Sequence, residues 1–389
     1  MAGSLDDDED SVLDESEQTN RPTDTAFSQQ RIQAWHPILD PVWVIIALFY
    51  LGVIMVPTGF KIDSLQKNVV ELKTKYDGIL PKDQVCGIGG EFNANRTCFL
   101  NFTAPRYMRA PILIHYELTN FHQNHRSYYD SRDDFQLHGR VGNQDSVSRK
   151  ACQPLNKLGN KTLNPCGLAA NTMFNDFFTL ESGRDINRID LEMLETGIAW
   201  KSDIEYMYRQ PEGFEYAECE PNACDSTCCE RTTENGERFS CGAPYFDRKT
   251  DKCFAYHYPL QDETQYLYET YPDVISPIEG VTNEHFVVWM RIATQPTFRK
   301  LYGWIDQDIP AGETLRFRVN ANYVVTRFQG SKSLLISTNN IFGGRNPYFG
   351  SFFFWVGIFC LAAGTFFAFK HAFRPRRLGD GNYLHYKDD

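Results

Sequence analysis

Two uncharged apolar runs stand near the two ends of this chain, and the pattern between them is mixed. The first is PVWVIIALFYLGVIMVPTGF (41–60); the second is YFGSFFFWVGIFCLAAGTFFAF (348–369). A bilayer core about 30 Å thick needs roughly 20 apolar residues of helix, and each run is that long. Both read as transmembrane helices. The first starts too late, runs too long and follows an acidic stretch, which fits a retained signal-anchor better than a cleaved signal peptide. Pro57 is expected to bend that helix or end it. Beyond it Ile62, Leu65, Val69 and Leu72 recur at helical spacing, while VVELK (69–73) reads equally well as a strand.

Further along, strand signals dominate. ILIHYEL (112–118) is short, apolar and β-rich. HFVVWMRIA (285–293) reads as a buried strand. TLRFRVNANYVVTRF (314–328) alternates, with Leu315, Phe317 and Val319 on one face. SLLIST (333–338) follows a turn centred on Gly330, and Pro310-Ala311-Gly312 marks a turn before a strand. The expected fold is a membrane protein with two transmembrane helices and a large β-rich ectodomain (α+β, antiparallel) whose long loops are tied by disulfides. The expected order is an acidic disordered tail (1–22), a juxtamembrane segment (23–40), the first span (41–60), the ectodomain (61–347), the second span (348–369) and a C-terminal tail (370–389).

Composition narrows the class. At 42% hydrophobic residues and a net charge of −11, the chain is a soluble domain with anchors and not a multi-span transporter. Eight acids and no Lys or Arg lie in residues 1–20, so the acidity belongs to the tail and not to the fold. No basic patch with interleaved aromatics is present, which argues against a nucleic-acid partner. Lys370, Arg374, Arg376 and Arg377 follow the second span, placing the C-terminus in the cytosol. Lys61, Lys67, Lys73 and Lys75 follow the first span and point the other way.

Cysteines and sequons settle that conflict. Cys86, Cys98, Cys152, Cys166, Cys219, Cys224, Cys228, Cys229, Cys241 and Cys253 all lie between the spans, and Cys360 lies inside the second. An even number in this setting reads as disulfides in an oxidising compartment. The natural local pairs are Cys86–Cys98 and Cys152–Cys166. Each closes a loop of about 13 to 15 residues, a constraint worth about 3 kcal/mol in the chain-entropy estimate. The six cysteines from 219 to 253 are irregularly spaced and include a vicinal pair. That favours disulfides over a zinc site, and their pairing stays open. Three Asn-x-Thr sequons, at Asn95, Asn101 and Asn160, fall in the same segment. The middle of the chain is therefore expected in the lumen or outside the cell.

Catalysis finds no support in the pattern. His115, Glu117, His122 and His125 lie close in sequence, but no HExxH is present; polar loop histidines are the plainer account. GIGG (87–90) and the glycines at 343–344 lack the Lys-Ser/Thr of a phosphate loop. No Gly-x-Ser-x-Gly elbow occurs. Acids such as Asp133-Asp134 are read as solvated. No enzyme activity and no cofactor is expected.

Longer strings carry more information. They are DTAFSQQRIQAWHPIL (24–39), YELTNFHQNHRSYYDSRDDFQL (116–137), NPCGLAANTMFND (164–176), GIAWKSD (197–203), EHFVVWMRIATQPTFRKLYG (284–303) and FGGRNPYFG (342–350). Through them the chain resembles, from about residue 24 to 371, the accessory β-subunits of type-IV P-type ATPases, the phospholipid flippases (the ligand-effect modulator / cell division control protein 50 family). The resemblance implies a non-catalytic subunit that binds the ATPase and supports its folding, its exit from the endoplasmic reticulum and its catalytic cycle. It thereby enables phospholipid translocation to the cytosolic leaflet. It implies an integral membrane protein of the endoplasmic reticulum, Golgi, endosomes or plasma membrane, with both termini cytosolic. Cys86/Cys98 and Cys152/Cys166 match the family's disulfide positions, whereas the cluster from Cys219 to Cys253 looks like an addition. Partner contacts are implied at Phe27, Gln29, Gln30, Arg31, Trp35 and Pro37, and at Arg345, Asn346 and Pro347. For Trp35 a juxtamembrane aromatic belt is the competing account. Gly357, Ala362, Ala363 and Gly364 are small enough for close helix contact, with lipid-facing filler as the alternative. Two other functions are weighed: a stand-alone cysteine-rich adhesion or receptor ectodomain, and a membrane-anchored lumenal hydrolase using Glu117, His122 and His125.

Enzymatic removal of N-linked glycans is expected to lower the apparent mass of the chain made in eukaryotic cells. An unshifted chain with all three sequons intact contradicts a lumenal middle segment.

Overall fold

The computed structural model describes residues 23–32, 40–80, 83, 85–90, 94–141, 150–181, 191–219, 224, 231–232, 238–239, 244–247 and 250–375. The elements that carry the architecture are helix α1 (Pro41–Lys67), strands β1 (Glu71–Asp77), β2 (Arg96–Thr103), β3 (Ile112–Thr119) and β4 (Phe177–Glu181), and helices α2 (Lys201–Tyr206) and α3 (Glu284–Met290). After them come β5 (Phe298–Ile305), β6 (Thr314–Ala321), β7 (Ser331–Thr338) and α4 (Pro347–Phe373). The chain divides into two compact units, residues 1–60 with 351–389, and residues 61–350.

In the first unit the two apolar helices meet through glycine. A Cβ on Gly52 would lie 2.6 Å from Leu361 Cγ, and one on Gly357 would lie 2.8 Å from Val56 Cγ2. Gly364 faces Leu48 and Phe49. Small residues let the backbones approach where lipid supplies no hydrophobic drive between helices. Gly357 and Gly364 thus serve contact within this chain, while Ala362 stays exposed. Trp43, Tyr50, Trp355, Phe359 and Phe366 face outward. Pro57 does not end the first helix, which continues to Lys67. Thr58 Oγ1 donates to Ile54 O at 2.7 Å, one turn back along the helix.

The second unit is built on two antiparallel sheets. One has the order β1-β7-β3-β5 and the other β2-β6-β4. Leu315, Phe317 and Val319 of β6 point inward, opposite Phe102, Leu100 and Cys98 of β2. They share one core with Ile114, Tyr116, Leu118, Leu334 and Ile336 of the other sheet. Phe178 of β4 packs edge-on against Tyr76 (6.0 Å) and Tyr302 (4.8 Å), which stitches the sheets together. β7 is buried along its whole length. The region left open after the first span resolves into helix to Lys67 and strand from Glu71.

The strand expected at 285–293 is corrected. The segment from His285 forms helix α3 and not a strand. Asn283 accepts from His285 N (3.0 Å) and Phe286 N (3.2 Å), a cap that starts the helix despite its β-branched and aromatic content. Phe286, Val287, Trp289 and Met290 are then buried on it.

Disulfides join Cys86–Cys98, Cys152–Cys166 and Cys224–Cys253. Cys219 is also disulfide-bonded, and its backbone N–H donates to Cys253 O at 2.9 Å. Cys228, Cys229 and Cys241 lie outside the described residues.

The core also holds charge. Lys332 of β7 is fully buried, 2.8 Å from Asp176 and 3.2 Å from Asp77. Its Nζ also donates to Tyr323 O at 2.7 Å. Asp176 accepts from Tyr76 Oη (2.8 Å) and from the backbone N–H groups of Asn322 and Tyr323 (each 2.6 Å). Replacing Lys332 by Met strands two buried carboxylates. The expected cost is about 3–5 kcal/mol, as for removing one partner of a buried ion pair. Thermal unfolding of the purified full chain checks it, and a midpoint equal to that of the natural chain contradicts the structural role.

Candidate functional site

The residues that suggested chemistry do not converge. His115 and Glu117 lie on β3 facing away from the shared core, whereas His122 and His125 are exposed in the turn that follows. The Glu117 carboxylate is occupied. It pairs with Lys73 and accepts from Arg299 Nε at 3.0 Å, while Arg299 also reaches Glu71 at 3.0 and 3.1 Å. Burial and the Arg299 guanidinium push the His115 imidazole down to about 4, against a small opposing pull from Glu71. Asp133, expected in solvent, is instead buried near Cys152 and Cys166; those cysteines are bonded to each other and the carboxylate caps a short helix at Phe135 N. Glu117 and Asp133 therefore serve structure, and His122 and His125 are exposed turn residues. Sequence reading missed a further pair, His285 Nε2 to Glu195 at 3.3 Å, with the imidazole over the Tyr302 ring. It flanks a cavity of about 450 Å³ lined by Phe177, Thr179, Leu191 and Met193 among others. The two partners stand 90 positions apart, so no local pattern announces them.

The long sequence strings do converge, around α3. Glu284 accepts from Gly197 N, Ile198 N and Ala199 N at 2.7–2.9 Å, which fixes the GIAWKSD segment to the start of that helix. At the other end Arg291 binds Asp203 of α2 (2.7 and 3.2 Å) and lies 4.6 Å from the Trp200 ring. Lys300 Nζ donates to the carbonyls of Val288, Trp289 and Arg291, where a cation complements the negative end of the helix. Gln123 accepts from Ala293 N (2.9 Å), and Asn124 donates to Thr294 O (2.9 Å). Trp289 Nε1 donates to Ala169 O (2.9 Å). Four strings thus lock one another, and Trp200 and Tyr206 are left exposed at the edge, each at 65%.

The residues expected to bind a partner fall in two places. In the lead segment Phe27 is 80% exposed on a helical turn closed by Gln29 N to Thr25 O and Arg31 N to Ala26 O. Arg31 pairs with Asp24, and Gln30 takes a left-handed conformation. Trp35 and Pro37 lie outside the described residues. Before the second span Asn346 Oδ1 accepts from Tyr348 N (3.1 Å), and its own N–H donates to Gln66 Oε1 (3.0 Å). Pro347 is the first residue of α4, where its missing N–H costs nothing. Asn346 and Pro347 therefore start the helix, and Arg345 is exposed beside them. Asn95, Asn101 and Asn160 all have exposed positions.

The architecture defines a class: a two-span membrane protein whose bulk is a β-rich, disulfide-tied domain. The chain belongs to the LEM3 (ligand-effect modulator 3) / CDC50 family, whose pattern matches residues 63–377. It is 32% identical over 375 residues to "ALA-interacting subunit 3" of Arabidopsis thaliana, covering 94% of this chain and 90% of that protein. It is 32% identical over 356 residues to "Cell cycle control protein 50A" of Mus musculus, covering 89% and 88%. To "Phospholipid-transporting ATPase accessory subunit CRF1" of Saccharomyces cerevisiae it is 28% identical over 405 residues, covering 96% and 91%.

His115 gives the ectodomain an acid-sensitive contact. The unfolded chain protonates a histidine near 6.5, and the folded chain only near 4. Between those values the unfolded state holds more protons, so stability is present above 6.5 and falls as pH drops toward 4, by up to about 3 kcal/mol. Thermal unfolding of the full chain across that window is expected to show the fall, and His115→Gln is expected to flatten it. An unchanged pH profile in His115→Gln assigns the fall to other groups.

Proposed function

We propose that this chain is the non-catalytic accessory subunit of a type-IV P-type ATPase that moves phospholipid to the cytosolic leaflet. The observation that carries the reading is full-length similarity to a relative named as a phospholipid-transporting ATPase accessory subunit. In this reading the chain binds the ATPase and supports its folding, its exit from the endoplasmic reticulum and its catalytic cycle. Both termini lie in the cytosol, and the domain between the spans lies in the lumen or outside the cell. Disulfides and exposed sequon asparagines support that placement. The complex resides in the endoplasmic reticulum, Golgi, endosomes or plasma membrane. Phe27, Gln29, Gln30, Arg31, Trp35 and Pro37 contact the partner on the cytosolic side, and Arg345, Asn346 and Pro347 do so on the other. The outward aromatic faces of the two spans are available to helices of the ATPase or to lipid. A stand-alone adhesion domain has no observation in its favour.

Affinity purification of the tagged full chain in mild detergent is expected to recover a P-type ATPase, and Phe27→Ala combined with Trp35→Ala is expected to reduce the yield. Recovery of the intact chain with no ATPase, from cells that contain one, contradicts the proposal.

A further inference from the structure

The turn between β7 and α4 carries an apolar tip that the fold does not use. Asn340 and Gly343 exchange both backbone hydrogen bonds, at 3.2 and 3.0 Å. Asn340 Oδ1 also accepts from Phe342 N at 2.8 Å, and its Nδ2 donates to Leu65 O of α1 at 3.4 Å. The base of the turn is therefore fixed. At its tip Ile341 is 94% exposed and Phe342 45% exposed. A single exposed apolar residue is ordinary, but Tyr348 beside them is 79% exposed as well.

The contact with the span indicates what covers this tip. The Phe342 ring packs against Phe349 with centroids 5.7 Å apart. Phe349 is the second residue of the uncharged run 348–369. A run of that length just fills the hydrocarbon core, so its first residues lie at the boundary between acyl chains and headgroups. A ring packed on Phe349 lies at the same depth. Tyr348 is an amphipathic side chain of the kind enriched at that level, and Arg345 is an exposed cation between tip and span. Ile341, Phe342, Tyr348 and Phe349 thus supply apolar surface at the N-terminal end of α4.

We propose that the Asn340–Gly343 turn is an interfacial finger that inserts Ile341 and Phe342 into the lumenal leaflet. Its occupant is phospholipid, with acyl chains against the two apolar side chains. The finger holds the lumenal end of α4 at a set depth. The proposal rests on the two-span topology given under the proposed function.

The test uses the full chain in phospholipid nanodiscs, with Cys360→Ala as background. An environment-sensitive fluorophore is attached at Ile341→Cys, and separately at Trp355→Cys inside the span. The expected result is blue-shifted emission from the 341 label, with most of it lost to lipids carrying a nitroxide near the headgroup and little lost to aqueous iodide. The 355 label is expected to respond to nitroxides on the acyl chain. If the 341 label is quenched by iodide while the 355 label is still quenched by lipid, the finger is refuted and the topology stands. If iodide quenches both labels, the two-span reading fails and the finger fails with it.

Discussion

The ectodomain depends on one buried ionic arrangement. Lys332 sits on an inner strand of the first sheet with no access to water, and a lysine there is tolerated only if its charge is matched. Asp176 supplies the match from the residue just before β4, and it also collects the N–H groups that follow β6. Asp77 adds a second carboxylate from the end of β1, across from Lys332 in the ladder. One carboxylate–ammonium group therefore joins both sheets at the point where their core aromatics meet. Hydrophobic burial supplies the bulk of the stability, and this group restricts which sheet alignment is compatible with it.

The same economy explains why the long strings of the sequence are so extended. Several contribute a polar side chain that completes the backbone hydrogen bonding of another segment. Glu284 holds three N–H groups of residues 197–199, Gln123 holds Ala293, and Trp289 holds Ala169. An unpaired buried polar group is expensive, so each partner constrains the other. The strings read first as marks of function are, in large part, marks of a locked loop region. Around α3 they leave the edge at Trp200 and Tyr206 exposed.

Much of the fold was legible. The two spans follow from length and apolar content alone, and β6 announces itself through strict alternation at Leu315, Phe317 and Val319. The local disulfide loops are short enough to read from spacing. Helix α3 was misread because seven residues of aromatic and β-branched content carry no usable helical period. Its identity resides in the Asn283 cap. The ionic core was invisible because Tyr76 and Asp176 stand 100 positions apart and Lys332 looks like an ordinary strand lysine. The candidate contact residues divide in the same way. Asn346 and Pro347 stood out in sequence, and in the structure they begin a helix. Ile341, at 94% exposure, had no pattern to mark it.

The accessory role is tested most directly by lipid movement itself. Vesicles from cells stripped of their own accessory subunits would carry a type-IV P-type ATPase, with or without this chain, and a fluorescent phospholipid would be followed on ATP addition. ATP-dependent movement to the cytosolic leaflet only when the chain is present is the expected result. Equal movement without it, at equal amounts of ATPase in the membrane, contradicts the role.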